Sequence, residues 1–313
     1  MGGVFFSESE YALKRITDIF DIIHPIRVSY WHTLSQVHGV KHLYPQVTEN
    51  QLNASFGVGA NIHGVNFKKA FLNCNWIGFE ETLAWILLST LFSIYEGWIE
   101  SLNKNIFSGN INTSYFQFPQ SPTRPIGHIV NVIQNTLQNR SQILEDTLFP
   151  VYSAQKHYSF PNLNSLLICF RFFKEMRNCF THNSSFADHK LVDAYNLFLP
   201  IATINDLSVN EVPDYTAPVI NTPITISLRG VIGFSAIIVK IITTCDAKLM
   251  ISSSGENFFV SKLKEFNTPA LTLSSSQHKK NLQLISCIKK AGFRAPRNLT
   301  GIEHLLRLKR VVF

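Results

Sequence analysis

The sequence predicts a mainly α-helical protein built as a bundle, and two observations carry this prediction. Apolar residues make up 45% of the 313 residues and charged residues only 16%, so the chain has ample material for a buried core. Three segments, 78–103, 163–176 and 231–249, are long and apolar in the way of core helices. The strongest of them, 78–103, opens with acids that suit the positive end of a helix and is apolar almost all round, which places it centrally.

The remaining elements follow from periodicity and from proline. Further helices are predicted, in chain order, over 8–23, 126–149, 188–198, 282–291 and 301–309. The core segment 163–176 belongs to a longer predicted helix over 162–182. Pro25 ends the first of these helices, and the three prolines of residues 105–126 predict a connector. Residues 203–230 are polar and carry three more prolines, which predicts either a short β-hairpin near 219–230 or an extended cover.

Composition divides the chain into four predicted segments. They are an N-terminal helical and loop extension (1–75), a helical domain (76–250), a Ser-edged linker (251–276) and a basic C-terminal segment (277–313). The last holds nine of the 28 Lys and Arg residues but one of the 21 acids, so the net charge of +7 belongs to it. A basic segment attracts phosphate backbones, although it can also be a solvated tail that aids solubility. The candidate nucleic-acid contacts are Lys279, Lys280, Lys289, Lys290, Arg294 and Arg297.

The cysteines and the N-terminus bound the cellular setting. Five cysteines, an odd number with no CxxC spacing, argue against a disulfide framework and a structural zinc site. The N-terminus has no charged region followed by a sustained apolar stretch, and no run of 18 uncharged apolar residues predicts a membrane span. We therefore expect a cytoplasmic protein that binds no membrane, metal or cofactor.

The stretch with the most chemistry is 177–183, Arg-Asn-Cys-Phe-Thr-His-Asn, at the end of the predicted helix 162–182. Arg177 offers a permanently charged fork for phosphate oxygens, and His182 can transfer protons near neutral pH. The pair is sufficient to cleave RNA by attack of the 2′-hydroxyl on the adjacent phosphorus, without a metal. Asn178 could orient either the histidine or the phosphate. The plain alternative is that Arg177 and His182 only cap the helix end.

The spacing of the pair makes a structural demand. Five residues on a regular helix turn through about 500°, which leaves the side chains of Arg177 and His182 about 140° apart. The helix must therefore end or distort there, or the pair must converge with that of a second subunit in a two-fold dimer. Glu96 lies within the apolar run 78–103, and a buried carboxylate needs a partner. It either faces a solvent boundary or pairs with Arg177.

Arg177-Asn178-Cys179-Phe180-Thr181-His182 resembles the R-x4-6-H signature of the HEPN superfamily, in its Arg-Asn-x-x-x-His form. The stretch Ser-Ile-Tyr-Glu-Gly-Trp-Ile-Glu-Ser-Leu, which contains Glu96, is similar to the acid-bearing helix of that family, and the likeness covers roughly residues 76–250. The resemblance implies an all-α bundle that dimerises, so that two signatures form one metal-independent ribonuclease site. Its catalytic residues would be Arg177, His182, Asn178 and Glu96.

The resemblance also implies a biological setting. The substrate would be RNA, and the enzyme would act as a toxin or in antiviral defence, with an antitoxin or defence-system protein as partner. Two other functions stay open from the residues alone. One is a non-catalytic RNA-binding or adaptor protein that relies on the basic segment. The other is a structural interaction protein whose surplus of Phe, 25 residues, mediates assembly.

Overall fold

The structure is a computed structural model that describes residues 3–57, 66–267 and 270–313. Helix accounts for 69% of the residues, which confirms the predicted mainly α fold class. The α-helices are α1 (Ser7–Leu43), α2 (Glu49–Phe56), α3 (Trp76–Asn105), α4 (Ile129–Thr136), α5 (Gln142–Thr147), α6 (Phe149–Tyr152), α7 (Leu163–His182), α8 (His189–Phe198), α9 (Ile204–Leu207), α10 (Leu228–Leu249), α11 (Ser253–Phe266), α12 (Gln277–Lys290) and α13 (Thr300–Leu308). Within the described residues, strand pairing is limited to isolated bridges.

Helices α3, α7 and α10 form the centre of the bundle, as their apolar sequences predict. Helix α10 packs against both α3 and α7, and α1 lies along α3 while α8 lies along α7. Aromatic rings from all three central helices meet at Phe234, which stacks on Phe173 with 4.5 Å between ring centroids and lies 5.4 Å from Phe92. All three side chains are fully buried, so this cluster fixes the helices that carry Glu96 and Arg177.

The prediction that Pro25 ends the first helix is wrong, because α1 continues through Pro25 to Leu43. Contacts beyond the proline stabilise the continuation. Tyr30 stacks on Phe79 of α3 at 3.5 Å between centroids and donates a hydrogen bond to the carbonyl of Ala70 at 2.6 Å. Tertiary contacts of this kind offset the backbone hydrogen bond that a proline removes from a helix interior.

The single helix predicted over 126–149 is also wrong. The chain there is divided into α4, a 3₁₀ turn at Leu137–Asn139, α5 and the short α6. Ser141 causes the break between α4 and α5: its amide donates to the carbonyl of Ile251 at 2.7 Å and its hydroxyl caps α5 at the amide of Leu144. A capping serine that also bonds a distant strand-like residue competes with helix continuation.

Residues 209–227 form an extended cover, which is one of the two predicted alternatives. The cover does not form a hairpin near 219–230. Among the described residues, its bridge pairing is between Pro223 and Phe186, which ties the cover to the end of α7. Ser227 caps α10 and donates to a carboxylate oxygen of Asp214 at 2.6 Å. Gly230 permits this approach, since a Cβ there would lie 2.1 Å from the carbonyl oxygen of Asp214.

The predicted linker 251–276 is largely helical, because α11 occupies Ser253–Phe266 and buries Phe259 and Leu263. Residues 268–269 of that linker, like 58–65 of the predicted N-terminal extension, lie outside the described residues. The two helices predicted in the basic segment are confirmed as α12 and α13. They bury Leu284, Ile288 and Leu305, and one hydrophobic cluster includes residues from all four predicted segments.

The N-terminal segment is anchored to the end of α10 by Asp246. The backbone amides of Phe5 and Phe6 both donate to its carboxylate, at 2.5 and 3.0 Å. Asp246 is 1% exposed, and burial raises its pKa to about 7 although these hydrogen bonds oppose the shift. The first described residues are therefore fixed to the same core as α10.

Two helices, α3 and α10, are long and apolar enough to cross a membrane by length and composition alone. The sequence argument set them aside because α3 carries Glu80, Glu81 and Glu96 and α10 carries Lys240. In the structure, 44% of the most apolar window of α3 and 72% of that of α10 are buried inside the protein. Core helices of soluble proteins meet the same criteria, so the cytoplasmic location stays a prediction.

Candidate active site

Helix α7 ends where the sequence predicts. His182 is its last residue, and the amides of Asn183 and Ser185 both donate to the carbonyl of Cys179, at 2.9 and 3.1 Å. Ser184 and Ser185 adopt left-handed backbone conformations, with φ of 49° and 67°. These turns satisfy helix-end carbonyls and stop the helix, and they leave His182 in the last helical turn.

Arg177 faces α3 and pairs with Glu96. Its Nη2 lies 3.4 Å from Oε1 of Glu96, and its guanidinium sits 5.4 Å from the centroid of the Phe92 ring. Of the two alternatives that the sequence left open for Glu96, the structure shows the pair with Arg177, with the Glu96 side chain still 33% exposed. The Arg177 side chain is 20% exposed, so the charge is held between an aromatic face and a carboxylate while one edge still meets solvent.

Lys174 is a second cation at Glu96 that the sequence argument missed. Its Nζ lies 3.0 Å from Oε1 of Glu96 and also donates to Oε1 of Gln117. Burial lowers the pKa of Lys174, and the bond to Glu96 opposes that shift. The signal was present in the spacing, since a residue three positions before Arg177 shares its helix face. One carboxylate thus serves two cations, which leaves a net positive charge beside the helix end.

The structure does not bring Arg177 and His182 together within one chain. Helix α7 is regular through His182, so the two side chains point about 140° apart around the helix. His182 is exposed, and its ring makes no hydrogen bond or ion pair within the described part of the chain. Of the two routes to convergence that the spacing left open, the helical distortion is therefore absent.

His182 instead shares a face of α7 with Asn178, Glu175 and Arg171, which are spaced by four, three and four residues. Asn178 donates to Oε2 of Glu175 at 3.0 Å, and Arg171 pairs with the other oxygen of that carboxylate. Glu175 is 5% exposed, and the sequence argument missed it. Asn178 is thus oriented by Glu175, on the side of the helix away from Arg177.

Exposed apolar side chains surround the end of α7. Phe180 stacks on Trp85 of α3 with 4.2 Å between centroids and remains 36% exposed. Phe186 is 43% exposed, and the adjoining cover presents Val219, which is 62% exposed, and Ile220. Two backbone hydrogen bonds hold the cover beside Phe186: the Asn221 amide donates to the Ala187 carbonyl at 2.9 Å, and the Ala187 amide donates to the Thr222 carbonyl at 3.0 Å. His182 is therefore flanked by apolar surface.

The predicted nucleic-acid contacts lie on and after α12, away from the core face. Lys280 is the exception, because it pairs with Glu303 at 2.9 Å. Arg294 is half-buried, with its guanidinium 5.9 Å from the centroid of the Tyr152 ring. The four others are exposed, namely Lys279, Lys289, Lys290 and Arg297.

Within residues 3–57, 66–267 and 270–313, no group of three or more His, Cys, Asp or Glu side chains is arranged to hold a metal ion. Comparison with known proteins finds no match: no family model, no curated protein and no solved structure is similar to this chain.

Proposed function

We propose that this chain is a metal-independent endoribonuclease of the HEPN type that acts as a two-fold dimer. The observation that carries the proposal is the end of α7, where Arg177 is held at Glu96 and His182 stands exposed in the last turn. Motif, helix end and upstream acid agree with the resemblance found in the sequence. A toxin or antiviral-defence role in the cytoplasm, with an antitoxin or defence-system partner, belongs to the same proposal.

The geometry of one chain supports the proposed dimer. A single α7 directs Arg177 and His182 about 140° apart, so one chain presents them to different sides. Two copies related by a two-fold axis would bring two arginines and two histidines into one cleft. The exposed Phe180, Phe186 and Val219 would be covered in that contact, since buried apolar area stabilises protein interfaces.

The reaction needs a general base, a general acid and a cation at one phosphate. One His182 takes the proton of the 2′-hydroxyl as its oxygen attacks phosphorus, and the second His182 gives a proton to the departing 5′-oxygen. The products are a 2′,3′-cyclic phosphate and a 5′-hydroxyl. Arg177 stabilises the extra charge on the phosphorane. Glu96 acts as a positioning residue because it holds the guanidinium before RNA binds, and Lys174 binds the same carboxylate oxygen of Glu96.

The test is cleavage of single-stranded RNA in excess EDTA by wild type, His182→Ala and His189→Ala. We expect His182→Ala to lower the cutting rate at least about a hundredfold, in the range of general acid–base catalysis. His189, an exposed histidine seven residues further on, is the matched control and should cut like wild type. Equal cutting by wild type and His182→Ala would refute the assignment, as would loss of all cutting in EDTA.

The composite site has its own test. Protein carrying Arg177→Ala and protein carrying His182→Ala are each expected to be inactive, because each variant lacks the arginine or the histidine in both subunits. Mixing wild type with His182→Ala gives mixed dimers that keep only one of the two histidines at the shared cleft, so cutting should fall with the square of the wild-type fraction. A fall in direct proportion to the wild-type fraction, with mixed dimers verified by two different tags, would refute the two-chain site.

A second candidate is a non-catalytic RNA-binding protein, and the exposed cations of the basic segment favour it. Lys279, Lys289, Lys290 and Arg297 have no carboxylate within 4.0 Å among the described residues, so they are available to phosphates. Removing residues 277–313 would also remove buried core residues, so charge-neutralising variants are the proper test. If no protein cuts and Lys289→Gln with Lys290→Gln lowers the salt dependence of RNA binding, this candidate is favoured.

A further inference from the structure

A cleft of about 280 Å³ opens beside α7 on the face that carries Arg171, Glu175, Asn178 and His182. Its walls come from the connector that follows the 3₁₀ turn Thr113–Gln117 and from α7 and α8. Three cations line it, Arg124, Arg171 and Lys190. The proposed ribonuclease chemistry uses neither this cleft nor these cations.

One aromatic ring in the cleft holds two guanidiniums. The Arg124 guanidinium carbon lies 3.6 Å from the centroid of Phe118, and that of Arg171 lies 4.7 Å from it. Like charges so close repel each other. Burial and, to a smaller extent, the charge of Arg124 together lower the pKa of Arg171 to about 10. An anion placed between the two would relieve this repulsion.

The acids of the cleft do not neutralise all of this charge. Glu175 is engaged by Arg171 and Asn178, so its carboxylate is already shared. Arg124 and Lys190 have no carboxylate partner within the part of the chain that the structure describes. Asp193 also lines the cleft, which leaves three cations and two acids and a net charge of +1.

We propose that this cleft binds a phosphate group, held by Arg124 with Lys190 and Arg171. A guanidinium offers two parallel donors that match phosphate oxygens, and Arg124 has its donors free of any carboxylate. The apolar side chains of Ile168, Ala194 and Leu197 on the walls suit the ribose or base attached to that phosphate.

The position on α7 tells which phosphate this is, if the proposed ribonuclease function holds. Arg171 precedes His182 by eleven residues, or about 16 Å along the helix axis at 1.5 Å per residue. Residues 171, 175, 178 and 182 form one continuous helix face between the two points. The cleft therefore binds a phosphate of the same strand away from the bond that is cut, and it acts in affinity and register.

The experiment measures binding without cutting, in the full chain carrying His182→Ala and in EDTA. One arm follows fluorescence anisotropy of a labelled 12-nucleotide single-stranded RNA, and the other follows thermal stabilisation by adenosine 5′-monophosphate and by inorganic phosphate. The added substitutions are Arg124→Gln and Lys190→Gln, with Lys14→Gln, an exposed lysine of α1, as matched control. Arg171 is left unchanged because its loss would leave the buried carboxylate of Glu175 without its ion-pair partner.

We expect Arg124→Gln to weaken RNA binding roughly tenfold and to lower the slope of log K against log salt by about one, with Lys14→Gln unchanged. Loss confined to the adenosine monophosphate arm would support a phosphate cleft for a free nucleotide and not for the strand. Equal binding by all variants in both arms, with unfolding temperatures unchanged, would overturn the proposal. Cutting by the wild-type protein is measured separately, so failure of the ribonuclease proposal is distinguishable from failure of this one.

Discussion

The cluster around Glu96 offers the sharpest test of how the fold prepares Arg177. Glu96→Gln keeps the size and one oxygen of the side chain but removes its charge. Lys174 and Arg177, whose side chains are 13% and 20% exposed, would then face each other without an anion. The perturbation is therefore electrostatic, with little change in packing.

The magnitude follows from the two distances. At an effective dielectric constant of about 20, opposite charges 3.0 Å apart attract by about 5 kcal/mol before the cost of their desolvation. Glu96 keeps 33% of its side chain exposed, so water screens much of that attraction. We expect Glu96→Gln to lower the free energy of unfolding by about 2 kcal/mol, below the loss seen when a fully buried pair is broken.

The assay is a double-mutant cycle of Glu96→Gln and Lys174→Gln, measured by urea unfolding at neutral pH. Removing both charges returns the net charge of the Glu96, Lys174 and Arg177 cluster to its original +1. The double variant should therefore lose less stability than the two single variants together, by about 1 kcal/mol. Glu100→Gln is the matched control, since Glu100 is exposed on the same helix, and it should stay within about 0.5 kcal/mol of wild type. A coupling energy below about 0.3 kcal/mol would refute the reasoning.

Two further predictions concern the fold that holds this site. The pKa of Asp246 is raised to about 7 in the folded protein, so the folded state keeps a proton that the unfolded state loses near pH 4. The free energy of unfolding should fall between pH 4 and pH 7, by on the order of 4 kcal/mol, relative to Asp246→Asn; parallel pH curves in urea unfolding would contradict this. Gly230→Ala should cost more than about 2 kcal/mol, because the new Cβ would meet the carbonyl oxygen of Asp214 at 2.1 Å. Gly39→Ala, with nothing within 4 Å of its Cβ, should be neutral or stabilising when both glycine variants are measured by urea unfolding, and equal losses for the two would count against the contact.

Helix periodicity predicted the helices whose local sequence and tertiary packing favour the same conformation. The run around Glu96 and the run before Arg177 are apolar, long and bounded by polar residues, and both appear as central helices. The predicted helix end at Pro25 was wrong because the sequence shows the helix hydrogen bond that a proline removes. The contacts of Tyr30 that offset this loss join residues about 40 or more positions apart. Single-chain patterns carry no information on such pairs.

The site divides in the same way. The sequence placed Glu96 either at a solvent boundary or in a pair with Arg177, because a buried carboxylate needs a partner, and the structure shows the pair. Lys174 shares the helix face of Arg177, but it precedes the motif, and its contacts with Glu96 and Gln117 join residues 78 and 57 positions apart. Arg124 could not have been found, since it reaches Phe118 and Arg171 through a proline-rich connector whose path the sequence does not determine.

The anchoring of Phe5 and Phe6 by Asp246 has a consequence during synthesis. These residues leave the ribosome about 240 positions before the carboxylate that receives their amides. At 5–20 residues per second, translation takes roughly 12–48 s to reach Asp246. Throughout that interval the buried side of α1 has no finished α10 to close against. The amides of Phe5 and Phe6 are thus made early, but they reach their native hydrogen bonds only after α10 has been synthesised.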